Sequence, residues 1–470
     1  MYPKNKYITS GAAFIAAFLI FYSSCKPDET PGLDGYENGE EYQGGEQSTT
    51  FDESVNAFGN AVPGLTSSQN SDFVVGNSFN RNPWVLAPSS TVARDGLGPF
   101  FNAVSCGSCH FKDGRGEPPQ LGQQAVSLLM KISVNGTDAH GGPNPVPNFG
   151  TQLNPFQVPD VTNGEGNVNI TYTEIPGTYP DGTTFSLRKP NYAFENGALS
   201  NVMYSPRVAP AMFGTGLIEA IPESVILNLA DPTDMDGDRI SGKPNYVWDI
   251  ANQTTSLGRL GWKCGAPSVK QQVAAAFVND IGITSSLFPN ENLHGTQITQ
   301  YGNLPNGGSP EIEDDIFNKV VFYTAALAVP GRRNAKDENI LKGKILFNEI
   351  GCNKCHINKL STGISSHVTQ LSNQNIFPYS DFLLHDMGEG LADHRPEFLA
   401  DGNEWRTTPL WGIGLTHTVN SHTYFLHDGR ARGYEEAILW HGGEAEDIKQ
   451  VFMNLSAEQR GLIISFLKSL

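Results

Sequence analysis

The pentapeptide Cys-x-x-Cys-His occurs twice in this chain, as Cys106-Gly-Ser-Cys109-His110 and as Cys352-Asn-Lys-Cys355-His356. Two cysteines at this spacing can each bond to a vinyl group of one porphyrin, and the next histidine then lies beneath the iron as an axial ligand. A zinc site built from Cys-x-x-Cys pairs is the alternative, but zinc does not require a histidine directly after both pairs. The motifs therefore predict two covalently bound c-type haems, with His110 and His356 as iron ligands.

The first 24 residues have the pattern of an export signal peptide, with a basic start at Lys4 and Lys6 and an apolar run from Ile8 to Tyr22. That run is shorter than the roughly 20 residues of a transmembrane helix. Ser23-Ser24-Cys25 follows and is similar to a bacterial lipobox, which would make Cys25 the lipidation site. Ordinary cleavage and an uncleaved anchor are the alternatives. We expect an exported bacterial lipoprotein, periplasmic or at the outer membrane.

Acidic residues are dense after the signal, and residues 25–50 are predicted to be a solvated, lipid-anchored tether. The formal net charge of −18 argues against nucleic acid as a partner, because a phosphate backbone needs basic contacts. The same charge could dock a basic electron donor, and plain solubility is the alternative. Beyond the tether we expect an N-terminal haem domain with insertions at residues 51–335 and a C-terminal cytochrome c-like domain at residues 336–470.

The expected fold is mainly α with irregular and small β insertions, organised as two cytochrome c-like haem domains. Apolar and polar residues alternate in pieces over residues 125–190, which predicts a β-rich or irregular insertion. Helical periodicity and capping signals predict four helices, at about residues 268–282, 310–328, 337–350 and 456–467.

The sixth ligand of each haem iron decides its chemistry. An iron with an empty sixth position (an open iron) binds small molecules, whereas one with a protein ligand there (a closed iron) mostly transfers electrons. In the C-terminal half the candidates are His427, His441 and the soft ligand Met387. Cys264 is the cysteine left over, and its partly apolar neighbours favour burial over reactivity.

Two acidic groups are candidates for other chemistry. Asp234, Asp236 and Asp238 alternate around a Gly turn and could converge on Ca²⁺; a solvated turn that binds nothing is the alternative. Glu219 and Glu223 lie on an apolar segment, where a carboxyl with a raised pKa could move protons in peroxide chemistry. An ordinary helix-capping acid is the other interpretation.

The chain resembles the bacterial di-haem oxidoreductases described as peroxidases or thiol oxidoreductases, which are relatives of the di-haem cytochrome c peroxidases. The likeness begins near residue 50 and covers most of the remaining chain. Besides the haem motifs, the segments that carry it are Gly96-Leu-Gly-Pro-Phe-Phe-Asn-Ala, Gly214-Thr-Gly-Leu-Ile-Glu-Ala-Ile-Pro-Glu, Gly261-Trp-Lys, Leu384-His-Asp-Met-Gly, Trp405-Arg-Thr-Thr-Pro-Leu-Trp, His427-Asp-Gly-Arg and Trp440-His-Gly-Gly.

In the peroxidase relatives the C-terminal haem takes a distal Met a short helix beyond His-Asp-Gly, and this chain has His441 at that place. The resemblance therefore implies His356 and His441 as the axial pair of an electron-transfer haem. It implies that the haem at His110 meets peroxide, with an open or weakly held sixth position, since the next histidine is His140. One of Trp248, Trp262 and Trp411 could relay electrons between the haems, and core packing is the alternative for each.

We thus expect an exported di-haem oxidoreductase of peroxidase type, which receives electrons from a donor protein or a small redox molecule and uses hydrogen peroxide as oxidant. A non-catalytic di-haem electron carrier, with both irons closed, is the alternative. An accessory protein of metal uptake is a third hypothesis, supported only by the surface tether.

Overall fold

The structure is a computed structural model, and it describes residues 35–470. The signal peptide, the lipobox with Cys25 and the first part of the acidic tether lie outside the described residues. Within residues 35–470, none of the helices has the length and apolar character needed to cross a membrane.

Twelve α-helices lie in the described part of the chain, and the longest are capped by their own sequence. Thr66 and Ser456 each form a capping box with a Gln three residues later, at the starts of α1 and α12. The helices are α1 Ser67–Arg81, α2 Cys106–Cys109, α3 Thr215–Ala220, α4 Glu223–Leu227, α5 Val269–Ala276, α6 Thr296–Tyr301, α7 Asp314–Ala325, α8 Glu338–Glu349, α9 Thr416–Asn420, α10 Tyr434–Leu439, α11 Glu446–Asn454 and α12 Ala457–Ser469.

The strands form several small sheets, of which the hairpin of β7 and β8 and the sheet around β3 are the largest. Central β3 pairs with β4, β5 and β9, all antiparallel. The strands are β1 Thr49–Thr50, β2 Phe100–Phe101, β3 Leu128–Thr137, β4 Pro143–Asn144, β5 Gln152–Leu153, β6 Phe156–Gln157, β7 Val168–Thr178, β8 Thr184–Phe194, β9 Met203–Val208, β10 Tyr246–Asp249, β11 Thr254–Leu257, β12 Val329–Pro330, β13 Leu360–Ser361, β14 Asn375–Ile376, β15 Leu384–Asp386 and β16 Glu404–Arg406.

The expected fold class is wrong. The protein has 30% helix and 19% strand, so it is not mainly α. Two cytochrome c-like haem domains are not shown in the described residues, where Gly35–Leu470 forms one compact unit. The four predicted helices exist as α5, α7, α8 and α12, and the β-rich insertion exists as β3 to β8. The physical reason for the error is that this insertion contributes a large share of the regular structure.

The acidic segment after residue 34 packs against the C-terminal part of the chain. Glu40 is fully buried and its carboxylate binds Arg332, at 2.7 Å, and Lys344. Thr49 and Thr50 of β1 pair with β12. Residues 35–50 are therefore not a solvated tether, because a buried carboxylate needs charged partners that only the folded chain supplies.

Candidate haem sites

The second Cys-x-x-Cys-His motif follows α8 directly. Gly351 has a φ of +100°, a conformation that favours glycine, and it turns the chain from the helix into Cys352. The amide of His356 donates to the carbonyl of Cys352 at 3.0 Å, which holds the motif in one compact turn. Nδ1 of His356 lies 2.8 Å from the carbonyl oxygen of Tyr379. Since a carbonyl only accepts, Nδ1 carries the proton and Nε2 has a free lone pair.

A cavity lies against this motif and is lined by Cys352, Cys355, His356 and His441 together. Nδ1 of His441 is bound to the carbonyl of Ala437 at 2.7 Å, so this ring also keeps its Nε2 lone pair free. The pKa of His356 is lowered to about 4, mainly by burial and to a smaller extent by the neighbouring His441. Neutral imidazoles of this kind are suited to bind iron.

The rest of the cavity wall fits a porphyrin. It is largely apolar, with Trp262, Leu391 and Phe425 among its side chains. Two guanidinium groups on the same wall, those of Arg115 and Arg406, each have a buried nitrogen without a hydrogen-bond partner among residues 35–470. Such cations would pair with the two propionate carboxylates of a haem, since carboxylates are the usual partners of buried arginines.

The other ligand candidates line the same cavity. Met387 and His427 both reach it, and the His427 ring stacks on Trp405 with centroids 3.8 Å apart. Burial lowers the pKa of His427 to about 3, so this ring is also neutral. The structure thus brings Met387, His427 and His441 to one site, and the choice of His441 as the ligand stays a prediction.

His385 lies on the same wall, and its role as a charged group was not anticipated. Its Nε2 is 2.8 Å from Asp381 and its Nδ1 is 2.6 Å from Glu444. Burial disfavours a charged ring, but the Asp381 carboxylate more than offsets this and raises the pKa of His385 well above its usual value. A ring with both nitrogens protonated and bound cannot hold iron. The Leu384-His-Asp-Met-Gly segment marked His385 in the sequence. It did not show that the carboxylates of Asp381 and Glu444 bind the ring.

The first motif has the same histidine geometry. Nδ1 of His110 lies 2.7 Å from the carbonyl oxygen of Pro210, which again leaves Nε2 free. The short helix α2 presents Cys106 and Cys109, and the Cys109 thiol contacts the Val126 carbonyl at 3.2 Å. These side chains fit a haem ligand and two attachment points. His140 is exposed and stacks on Trp248, with centroids 4.0 Å apart.

Trp262 lies at the second site and is bonded to the strand that leads toward the first. It lines the cavity at the second motif, and its Nε1 donates to the carbonyl of Val208 at 2.8 Å. Two residues after Val208, Pro210 accepts the hydrogen bond of His110. Trp411, another relay candidate, is buried in the main hydrophobic core.

The carboxylates predicted to move protons have structural partners. Glu219 accepts hydrogen bonds from His367 at 3.1 Å and from the amide of Val269, the first residue of α5, at 2.5 Å. Burial raises its pKa, but these bonds outweigh burial and lower it overall. The expectation of a raised pKa is therefore wrong for Glu219. Glu223 is exposed and accepts a bond from Tyr246 at 3.3 Å.

The Asp-rich loop is an ordered turn. Carboxylate oxygens of Asp231, Asp234 and Asp236 lie within 4.8 Å of one another, whereas Asp238 pairs with Lys354 at 3.0 Å. The same carboxylates accept bonds from amides of their own loop, as Asp231 does from Met235 at 2.7 Å. Calcium binding by this loop stays a prediction, and Asp231 rather than Asp238 is the third member of the cluster.

Cys264 is buried, as expected, with its thiol 3.4 Å from the Phe382 carbonyl. Burial raises the pKa of this thiol to about 12, so it is inert at neutral pH.

Comparison with known proteins gives one family. The model of the family described as "Di-haem oxidoreductase, putative peroxidase" matches residues 38–470, nearly the whole chain. No curated protein matches this sequence.

Proposed function

The chain belongs to the di-haem oxidoreductase family, and we propose that it is an exported c-type enzyme of peroxidase type with one haem bonded at each Cys-x-x-Cys-His motif. The proposal is carried by one observation: His110, His356 and His441 all donate Nδ1 to a main-chain carbonyl, and each keeps Nε2 for iron. A haem supplies one-electron transfer where its iron is closed and reaction with small molecules where it is open.

At the second site, the chain provides the groups of an electron-transfer centre. Cys352 and Cys355 would fix the porphyrin, and His356 and His441 would be the axial pair, with Met387 as the alternative to His441. The apolar wall would exclude water from a bound haem, and Arg115 and Arg406 would offset the charge of its propionates. Because the ring orientations are set by carbonyls rather than by carboxylates, these imidazoles stay neutral donors.

At the first site, Cys106, Cys109 and His110 would hold the haem that meets hydrogen peroxide. The relay between sites is assigned to Trp262, because its indole touches the second cavity and is bonded to the strand that leads to the His110 acceptor. A direct proton-transfer role for Glu219 and Glu223 remains a prediction; of the two, Glu219 is ionised and bound to His367.

The electron source is an electron donor protein or a small redox molecule, and the acidic chain suits a basic donor. We further propose export by the N-terminal signal and anchoring to a bacterial membrane through a lipid on Cys25. Ca²⁺ at the Asp-rich loop is a separate proposal, testable by calcium titration.

The decisive experiment is low-temperature EPR of the purified chain, fully oxidised and half-reduced, followed by addition of peroxide. A peroxidase-type enzyme should show two haems per chain and a high-spin ferric signal in at least one state, lost on adding peroxide. Two low-spin signals in both states, unaffected by peroxide, would instead identify a non-catalytic electron carrier.

A further inference from the structure

A polar network of the buried side chains of Asn102 and Gln152 and the partly buried Asp280 lies beside the first haem motif and has no role in the proposed function. The main-chain oxygen of Asp280 accepts hydrogen bonds from the amides of Asn102, at 2.8 Å, and Ala103, at 3.0 Å. Ala103 in turn packs against Cys109 in a small buried cluster. Asp280 belongs to Phe277–Ile281, a π-helical turn after α5, and such turns are frequent at functional sites.

The side chain of Asp280 is held in place by an amide and lies near a cation. Gln152 donates to its carboxylate at 2.7 Å and also to the side chain of Asn102 at 2.6 Å. In the sheet, Lys131 of β3 is directly opposite Gln152 of β5, so the two side chains stand on the same face. The positive charge of Lys131 lowers the pKa of the carboxylate that Gln152 binds.

The charge of Asp280 acts on both haem-attachment sulfurs. Burial, and then the Asp280 carboxylate, raise the pKa of Cys106 to about 12, and the same two causes raise the pKa of Cys109. A porphyrin bonded to these sulfurs lies in the field of the same carboxylate. An anion there stabilises ferric over ferrous haem, because the ferric form carries one more positive charge.

Asp280 itself responds to its surroundings. Burial raises its pKa, and Lys131 and Gln152 act against burial. A carboxyl in this position binds a proton more tightly when the nearby iron gains an electron, since the attraction that kept it ionised is reduced.

Resting on the proposed attachment of a haem at Cys106 and Cys109, we infer that Asp280 couples reduction of the first haem to the uptake of one proton, and that Lys131 sets the pH range. One electron from the donor reaches the haem iron, and one proton from solvent converts the Asp280 carboxylate to the acid, so the site gains no net charge. The first haem thereby accepts an electron at a smaller electrostatic cost.

Several charged groups face this pair. Asp280 faces Lys131 and the two cysteines, which no longer titrate as thioethers. Lys131 also faces Arg207, Arg395 and Glu397, which are charged and bonded to one another. Asp113 also acts on Cys106; burial raises the pKa of Asp113 to about 6, and its carboxylate accepts a bond from Tyr323 at 2.6 Å. A slope that persists in Asp280→Asn would belong to Asp113.

The test is a redox titration of the whole di-haem protein at a series of pH values. The two haem potentials are assigned with His441→Ala, which alters the second haem. The slope is expected at pH values between the pKa of Asp280 in the oxidised protein and its pKa in the reduced protein. In that range the potential of the first haem should fall as pH rises. The fall should be up to tenfold in the reduction equilibrium per pH unit, or about 59 mV for one electron. Asp280→Asn should abolish this slope.

Glu165→Gln is the matched control, because Glu165 is also a buried carboxyl with a raised pKa but does not act on either cysteine of the first motif; the slope should persist. If Asp280→Asn does not fold, Lys131→Met is the second test. Loss of the ammonium should move the pH range in which the potential of the first haem depends on pH to higher values. A wild-type potential without a slope, a slope retained in Asp280→Asn, or an unmoved range in Lys131→Met would overturn the inference. Loss of haem from the wild-type first motif would instead refute the proposed function.

Discussion

His356 and His441 line one cavity, and each has its Nδ1 proton committed to a main-chain carbonyl, 2.8 Å away for His356 and 2.7 Å for His441. The two rings lie in different segments, one after α8 and one after α10, and the fold gives both the same tautomer. This shared tautomer leaves the Nε2 lone pair of both rings free and separates them from His385, whose nitrogens are both bound to carboxylates.

Replacing His441 tests the axial pair. His441→Ala should convert the second haem from low-spin to high-spin in the EPR spectrum, because alanine removes the Nε2 that the proposal assigns to the iron. His394→Ala is the control, since His394 is exposed and its ring pairs with Glu389 at 3.2 Å, away from the haem motifs in the sequence. A low-spin signal that survives in His441→Ala would exclude His441 and favour Met387 or His427.

Replacing single cysteines tests covalent attachment. Cys106→Ala should lower covalently bound haem from two toward one per chain, and Cys352→Ala should do the same for the other site, measured by mass spectrometry of the denatured protein. Cys264→Ala is the matched control, because this thiol is buried and belongs to neither motif. Two haems retained in both motif variants would refute the assignment.

The groups that sequence could locate are those defined by short spacing. Cys106, Cys109 and His110 follow from one pentapeptide, and the signals for α8 and α12 were equally local. The polar partners of these groups could not be predicted. The carbonyl that orients His110 belongs to Pro210, 100 residues further along the chain, and nothing in a Pro carbonyl marks it as a partner.

The errors have the same physical origin. Glu40 looks like a tether residue until Arg332 and Lys344, about 300 residues away, enclose it. Glu219 on an apolar segment suggests a raised pKa, but His367 reverses the direction. The balance of helix and strand was misjudged because the long hairpin of β7 and β8 has no counterpart in a small cytochrome c.

Trp262→Phe should slow electron transfer between the two haems by roughly tenfold or more, equivalent to at least about 1.4 kcal/mol in activation free energy. Phe keeps an aromatic ring but loses the Nε1 bond to Val208. Flash reduction of the second haem, followed by the spectrum of the first, measures the rate. Trp248→Phe should leave it unchanged, since Trp248 stacks on exposed His140. Equal rates in wild type and Trp262→Phe would remove the relay.

Glu40→Gln should lower the free energy of unfolding by about 3–5 kcal/mol, because it leaves Arg332 and Lys344 as buried cations without a countercharge. The measurement is urea denaturation followed by circular dichroism. Glu37→Gln is the control: its pair with Lys359 is partly exposed and is worth only about 0–1 kcal/mol. Similar losses in both variants would show that the buried cluster does not hold the segment.

The last prediction concerns pH and stability through Glu165. Burial raises its pKa to about 7 from 4.5, against the bonds donated by the Asn154 amide and Gln297. Because the folded state holds this proton more tightly, the group stabilises the fold fully below about pH 4.5, and this contribution is lost as pH rises to about 7. Glu165→Gln keeps a neutral side chain at all pH values. Its unfolding free energy should therefore match wild type near pH 4 and exceed it above pH 7 by up to about 3 kcal/mol. A difference that does not change with pH would show that Glu165 is ionised in the fold.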